Sequence, residues 1–421
     1  MIKVQWLVSA TLVAAFFVLG ACGPMPTAEP QPTATVQPTA VATSVPPTTN
    51  PDPSIPVTVS PPAEPGYCEL APLPQLPVRP ADSTDWVKGA SEQDAAITLY
   101  EYADFRCPGC GGMYPIVDLY LEDNPGVRLV YRHFPLDFHQ NAFMTSEASE
   151  AAGAQGKFWQ MHDLLFDRAQ EWSVLSAEEL SPKLSEYAKE LGLDVERFDR
   201  EMGAGTYKAK VQAAYDEAQS LGLPGTPSFI FNNVLFPSDI GLSYNGLVAF
   251  RSILDNQDTL FFDAIPEMTV KVDDAYQATL KTTKGDIVVK LLPEATPTNV
   301  NNFIFLAQQN WYNGSDFFFV RDNFVAVTGD PTNSTVGYPG YYCAGEEQQP
   351  GFFDRAGLVG MLPNGQFFIT LGTDAAQLSS PFAIVGQVLK GFEVLDSLNR
   401  LDVGDPSVTP DVLQSIQIVG Q

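Results

Sequence analysis

Cys107 and Cys110 enclose Pro108 and Gly109, the spacing of a dithiol that can open and close in place. A β-rich stretch comes before the pair and helical spacing follows it, so Cys107 is expected at a helix N-terminus. There, free backbone N–H groups and the helix dipole stabilise a thiolate. The thiolate is the attacking species in disulfide exchange, so a lowered Cys107 pKa is the functional device. Arg106 adds positive charge beside it, and Cys110, one turn in, is placed to close the disulfide. Zinc on this pair needs two more ligands. Only Cys68, Cys343 and three scattered histidines are on offer, so no metal and no cofactor is expected. A purely structural bridge is disfavoured too, because so tight a loop gains little closure entropy. Glu101 lies mid-strand between Tyr100 and Tyr102, where a buried acid is costly unless it has a task. His133, His139 and His162 fall on a strand, a loop and a helix, and read as structural or surface residues.

The elements that must hold these groups form an α/β order over 82–258. Residues 95–105 read as a strand (Ile97, Thr98, Leu99, Tyr100, Tyr102, Phe105). Residues 107–122 carry Met113, Ile116, Val117 and Tyr120 at helical spacing, with Pro115 as a possible kink. A second strand is expected at 127–134. A helical stretch over 140–221 follows, with breaks near Trp172 and Gly203. Then come Gly225-Thr226-Pro227, a strand at 228–232 and a closing helix at 245–256. After a short join at 258–267, residues 268–421 change character. Short strands at 278–283, 286–292, 317–327, 366–371 and 384–388 dominate, with helices only at 299–309 and 392–398. That is a β-barrel-like pattern. No internal repeat is present.

With the elements in place, residues 97–257 resemble the DsbA-like branch of the thioredoxin fold. The resemblance rests on the strand-Cys-Pro-Gly-Cys-helix unit, on Phe158-Trp159-Gln160-Met161-His162 in an inserted helical block, and on Gly225-Thr226-Pro227-Ser228-Phe229 before the last strands. It implies a protein disulfide oxidoreductase. It also implies that the Thr226–Pro227 bond is cis, with Pro227 over the active-site sulfur, and that Glu101 moves protons for the second cysteine. Gly109 stands where strongly oxidising relatives carry histidine, which leaves oxidase, isomerase and reductase directions open.

Residues 268–421 resemble a cyclophilin. The resemblance rests on Thr279-Leu280-Lys281-Thr282-Thr283-Lys284-Gly285-Asp286-Ile287, on 295–303 as the first helix start with Thr298 or Asn299 as N-cap, and on Gly329-Asp330-Pro331, 366–370 and Gly386-Gln387-Val388. The catalytic centre departs from the family. Where relatives read Phe-His-Arg-Val, this chain reads Phe317-Phe318-Phe319-Val320, which puts Phe319 at the arginine position. The glutamine position is Val327 and the groove histidine is Phe382. Phenylalanine has no donor for the prolyl nitrogen. The apolar lining persists as Phe324, Val325, Phe368 and Leu378, the expected substrate-binding residues. The resemblance therefore implies peptide binding with most isomerase activity lost. The competing reading is a foldase or chaperone with an active isomerase domain.

The chain start is an address. Lys3 precedes an apolar run, and Leu19-Gly20-Ala21-Cys22 resembles the bacterial lipobox, which makes 1–21 a signal peptide and Cys22 a lipidation site. Residues 22–81 are then lipidated cysteine and Pro/Thr-rich linker, extended like polyproline. With Cys22 lipidated, Cys68 and Cys343 remain as a structural disulfide or two free thiols. A net charge of −27 excludes nucleic acid as a partner. The expected partners are exported or unfolded proteins, a redox partner, and a membrane reached through the lipid anchor outside the cytoplasm.

Overall fold

The computed structural model describes residues 66–237, 240–346, 353–378, 382–405 and 407–420. The expected signal peptide, the expected lipidation site Cys22 and the part of the expected linker up to residue 65 lie outside the described residues.

The first domain is built on a five-stranded sheet in the order Trp86–Gly89, Val127–His133, Ile97–Ala103, Ser228–Phe231, Val234–Leu235. Ile97–Ala103 is central, parallel to Val127–His133 and antiparallel to Ser228–Phe231. Its alternation sends Leu99 and Glu101 to one face and Tyr100 and Tyr102 to the other. On the Leu99 face the helices Pro108–Asp123 and Tyr244–Leu260 bury Met113, Val117, Tyr120, Leu247, Phe250 and Ile253 against Phe229 and Phe231. Pro115 is accommodated inside the first of these helices.

The helical insertion is broken more often than at Trp172 and Gly203. It runs Ala142–Gly153, Phe158–Asp167, Ala169–Trp172, Ala177–Glu190, Val195–Gly203 and Lys208–Ser220. Side-chain caps mark two of the helix starts, one after the expected break near Trp172 and one at an additional break after Glu190. Ser176 and Glu179 form a reciprocal capping box, and the Asp194 carboxylate accepts from Arg197 N–H.

The second domain is a strand-rich, antiparallel half-barrel of nine strands. Their order is Phe319–Val320, Val325–Thr328, Phe367–Thr370, Leu358–Met361, Ala383–Lys390, Gly285–Leu291, Tyr276–Thr282, Val412–Gly420, Ser315–Asp316. The two edge strands, Ser315–Asp316 and Phe319–Val320, are adjacent in sequence, so the sheet must curl until its edges approach. The helix Pro297–Gln308 fills the concave side with Val300, Phe303, Ile304 and Leu306. Its N-cap is Thr296, not Thr298 or Asn299, and Pro297 takes the first helical position. The Thr296 hydroxyl is spent on Ile384 O. The free N–H groups of Thr298 and Asn299 are met instead by the buried Glu346 carboxylate, at 3.0 and 2.9 Å. The single strand expected over 317–327 is split, with a turn at 321–324 around left-handed Asn323.

Residues 66–81 are not linker. Cys68–Leu70 pairs with Tyr341–Cys343 of the second domain. Gln75 bridges Val234 at the edge of the first sheet. Cys68 and Cys343 are opposite one another in register, 4.0 Å apart at Cα, and are disulfide-bonded.

Candidate active site

Cys107 is the N-cap of the helix Pro108–Asp123, at the C-terminal end of the central strand, with Pro108 at the first turn. Its backbone C=O accepts from Gly111 N–H. Pro108 and Gly109 are exposed, whereas Cys110 is fully buried. Both thiols are free. The Thr226–Pro227 bond is cis, and the Cys107 thiol donates to Thr226 O at 3.2 Å. A Cβ on Gly109 would lie 3.2 Å from Pro227 Cδ and 3.6 Å from Cys107 Sγ. The three elements therefore converge on one sulfur, and the loop around it is closely fitted.

The two thiols are driven in opposite directions. The Cys107 pKa is lowered to about 5, first by the hydrogen bond from the Cys110 thiol and further by the N–H groups of Cys110 and Gly109, against the cost of burial. Arg106 is not among these causes. Its expected role falls to the Cys110 thiol and the helix-start N–H groups, and its own N–H is held by Asp104 Oδ1 at 2.7 Å. Burial pushes Cys110 well up, and the neighbouring Cys107 sulfur and the Glu101 carboxylate add to it. Only the Asp104 N–H, at 3.5 Å, faces the Cys110 sulfur favourably.

Glu101 lies on the sheet face that carries this helix, 1% exposed, and burial pushes its pKa to about 8. Asp118 raises it further and Lys88 opposes; these two form an ion pair of 2.6 Å. Among the described residues Glu101 Oε1 has no hydrogen-bond partner. Sequence reasoning missed Asp104. Its buried carboxylate accepts from Arg106 N–H, Leu136 N–H and His139 Nδ1, and so ties the next loop to the cysteine turn. The signal was a lone acid two residues before Arg106 in an otherwise apolar strand end. His139 thus gains a structural role at the site, and His133 pairs with buried Glu150 at 3.0 Å.

In the second domain Phe319, Val327, Phe368 and Gly360 form one cross-strand row. Phe319 and Val327 thus lie side by side on neighbouring strands. Phe368 lies on Gly360, where a Cβ would come within 2.2 Å of its ring, and packs against Phe353 and Phe382 at 5.0 and 5.5 Å. Of the expected lining, Val325, Phe368 and Leu378 are buried and Phe324 is half-buried, and all four pack in one apolar cluster with Phe319, Val327 and Phe382. A guanidinium does lie near: Arg321 sits 5.1 Å from the Phe319 ring centroid but is held by Asp402 at 2.7 Å.

Two family models match. The one described as thioredoxin covers residues 82–282, and the one described as cyclophilin type peptidyl-prolyl cis-trans isomerase covers 277–420. Among curated proteins, the Na(+)/H(+) antiporter NhaA 3 of Salinispora tropica is 41% identical over 159 residues, covering 37% of this chain and 22% of that protein. Peptidyl-prolyl cis-trans isomerase sig-7 of Caenorhabditis elegans is 34% identical over 137 residues, covering 29% and 32%. The chain thus spans under a third of the length of these relatives. A solved thioredoxin-like oxidoreductase from Silicibacter pomeroyi is 28% identical, with a TM-score of 0.34, over 42% of this chain and 94% of that one. By these matches the chain carries a thioredoxin-like domain followed by a cyclophilin-like domain.

Proposed function

We propose that this chain is an extracytoplasmic thiol-disulfide oxidoreductase that acts on cysteines of exported proteins. The carrying observation is the opposed pair of thiols: Cys107 at a helix start with a pKa near 5, and Cys110 buried with its pKa raised. A client thiolate attacks Cys107 Sγ of the closed disulfide, the Cys107–Cys110 bond breaks, and its electron pair goes to Cys110. A second client thiolate then attacks the mixed disulfide, and Cys107 leaves as the stabilised thiolate. The client is oxidised by two electrons and the pair is reduced by two, to be passed to a redox partner. Stabilising the thiolate favours the reduced pair, which supports the oxidising direction. The Cys68–Cys343 disulfide supports an oxidising compartment. Leu19-Gly20-Ala21-Cys22 supports tethering by lipid on Cys22. The test is oxidation of a reduced, unfolded protein by the purified chain. Cys107→Ser should abolish it, and full activity in that variant ends the proposal.

The cyclophilin-type domain, on this reading, binds proline-containing peptides at that apolar cluster and has little isomerase activity. Phe319 carries this inference. Apolar groups hold a proline ring about equally in cis, trans and twisted states, so they supply little differential stabilisation. The missing guanidinium bond is charge-assisted, on the order of 1.5–3 kcal/mol, or roughly ten- to a hundredfold in rate. A protease-coupled assay on a proline tetrapeptide decides it, and turnover like that of an ordinary cyclophilin refutes the loss.

A further inference from the structure

Cys110 and Glu101 are both sealed from solvent, at 0% and 1% exposure. Each exchange cycle nevertheless delivers one proton to Cys110 as it leaves and withdraws one in reverse. Glu101 can hold that proton, but a buried acid must itself be reloaded. Several of the surrounding polar atoms have unmade hydrogen bonds. Among the described residues Glu101 Oε1, Tyr131 OH and His162 Nε2 are all buried and without partners. They are neighbours. Glu101 and Tyr131 are paired on adjacent parallel strands, which puts their side chains on one face. The Tyr131 and His162 rings meet edge-on at 5.0 Å. Lys88 and Asp118 act on both Glu101 and His162.

His162 has an asymmetric setting. Its Nε2 is the unpartnered interior atom, while Nδ1 contacts Asp163 Oδ1 at 2.8 Å, and the Asp163 side chain is 42% exposed. An imidazole with one nitrogen at a solvent-facing carboxylate and the other inside can pass a proton by exchanging tautomers. Resting on the exchange reaction proposed above, we propose that His162 is the proton port of the active site, connecting solvent at Asp163 to Glu101 and Cys110 by way of the Tyr131 hydroxyl, through hydrogen bonds that are open in this conformation and close as these packed side chains turn toward one another during exchange. As Cys110 leaves as thiolate, Glu101 gives it a proton and regains one through Tyr131 from His162 Nε2. Nδ1 takes one from solvent at Asp163 in the same step, so the ring changes tautomer and stays neutral throughout. The net transfer is one proton from solvent to Cys110, and the reverse reaction returns it. Burial lowers the His162 pKa, which keeps the ring in the neutral form that the relay needs. The groups facing it are Asp163 on its own helix, Tyr114 and Asp118 on the active-site helix, Lys88 on the edge strand and Tyr131 beneath.

The experiment uses the full chain with its Cys107–Cys110 disulfide closed, reduced by dithiothreitol in single turnover in H₂O and D₂O. His162→Gln and His162→Phe should slow reduction by at least about tenfold, at the low end of proton-transfer contributions, and enlarge the solvent isotope effect. The pH profile of Cys107 alkylation should stay where it is. Folded variants with the wild-type rate and isotope effect overturn the relay. A wild-type protein that exchanges no disulfide defeats the function proposed above instead. Should both variants fail to fold, ¹⁵N shifts of the His162 ring in the intact protein decide. The chain has three histidines, which makes assignment simple. The tautomer balance should move as Glu101 titrates, and a ring locked in one tautomer throughout overturns the relay.

Discussion

Cys107 ionises first because the Cys110 thiol and helix-start N–H groups reach its sulfur, whereas Cys110 is walled off by apolar side chains. Near neutral pH the reduced pair therefore holds one proton rather than two. Its reduction potential should fall by about 30 mV per pH unit above pH 5 and by about 60 mV below it, as one or two protons accompany two electrons. At pH 7, two units above the Cys107 pKa of about 5, the thiolate makes the disulfide roughly 60 mV more oxidising than an unperturbed pair. Equilibration with glutathione from pH 4 to 8 measures both; a single slope of about 60 mV per pH unit throughout contradicts thiolate stabilisation. Glu101 has the opposite sign. Its folded pKa of about 8 exceeds the ordinary 4.5, so folding holds a proton that the unfolded chain releases. Its contribution is full below pH 4.5 and is lost as pH rises through 8, by a few kcal/mol at most. Glu101→Gln should therefore gain stability relative to wild type on going from pH 5 to 8 in urea melts. The difference isolates Glu101, since Cys107 titrates in both proteins. An unchanged difference shows that Glu101 is ionised in the fold.

At the scale of elements, the N-terminus of Pro297–Gln308 depends on a residue far away in sequence. Glu346 Oε1 and Oε2 accept from Thr298 and Asn299 N–H, and Oε2 also from Asn299 Nδ2. Glu346→Ala leaves these donors unpaired in a buried setting and should cost about 1–3 kcal/mol. Glu346→Gln should recover part of that cost. Loss below about 0.5 kcal/mol in Glu346→Ala means that solvent replaces the cap. This contact also marks the limit of what the sequence discloses. Pro297 announces the helix start locally, but nothing near it points to Glu346. Ile97–Ala103 and Gly285–Leu291 were legible because β-branched and aromatic residues crowd them. Trp86–Gly89, Tyr341–Cys343 and Val412–Gly420 were not, because their strand character is conferred by distant partners. At the site, Cys107, Cys110, Thr226 and Pro227 carry their chemistry in their spacing. His162 does not, since a histidine among aromatic helix residues reads as packing until its two nitrogens are seen in different surroundings.

Across the whole folded part, residues 66–81 form a strap that bonds to both domains. On the cyclophilin side Cys68–Leu70 pairs with Tyr341–Cys343, Ala71 N–H donates to Gly340 O, and Tyr338 OH donates to Ala71 O. On the thioredoxin side Leu76 N–H donates to Asn233 O, and Leu235 N–H to Pro74 O. This covers an edge strand that would otherwise invite pairing with other chains. Buried Leu73 sits between the two sets, in one apolar cluster with Tyr338, Val234 and Phe236. Direct contacts add Trp311 Nε1–H to Leu260 O and Phe262 N–H to Pro339 O. The Cys68–Cys343 bond spans 275 residues, closing a loop that holds the whole first domain and the N-terminal part of the second. In the chain-entropy picture a loop of that length is worth about 5.5 kcal/mol. Its loss should act unevenly. In Cys343→Ser the strap's first half is left with a short two-stranded ladder, while the Leu73 cluster and the Leu76 and Leu235 bonds stay intact. Amide hydrogen exchange should therefore show Ala71 and Ala344 N–H, which lie beside the disulfide, losing protection, with Leu76 and Leu235 close to wild type. The urea midpoint should also fall. Uniform loss at all four amides makes the disulfide the sole fastening of the strap. Unchanged protection at Ala71 and Ala344 means that the ladder and the Tyr338 bond suffice without it.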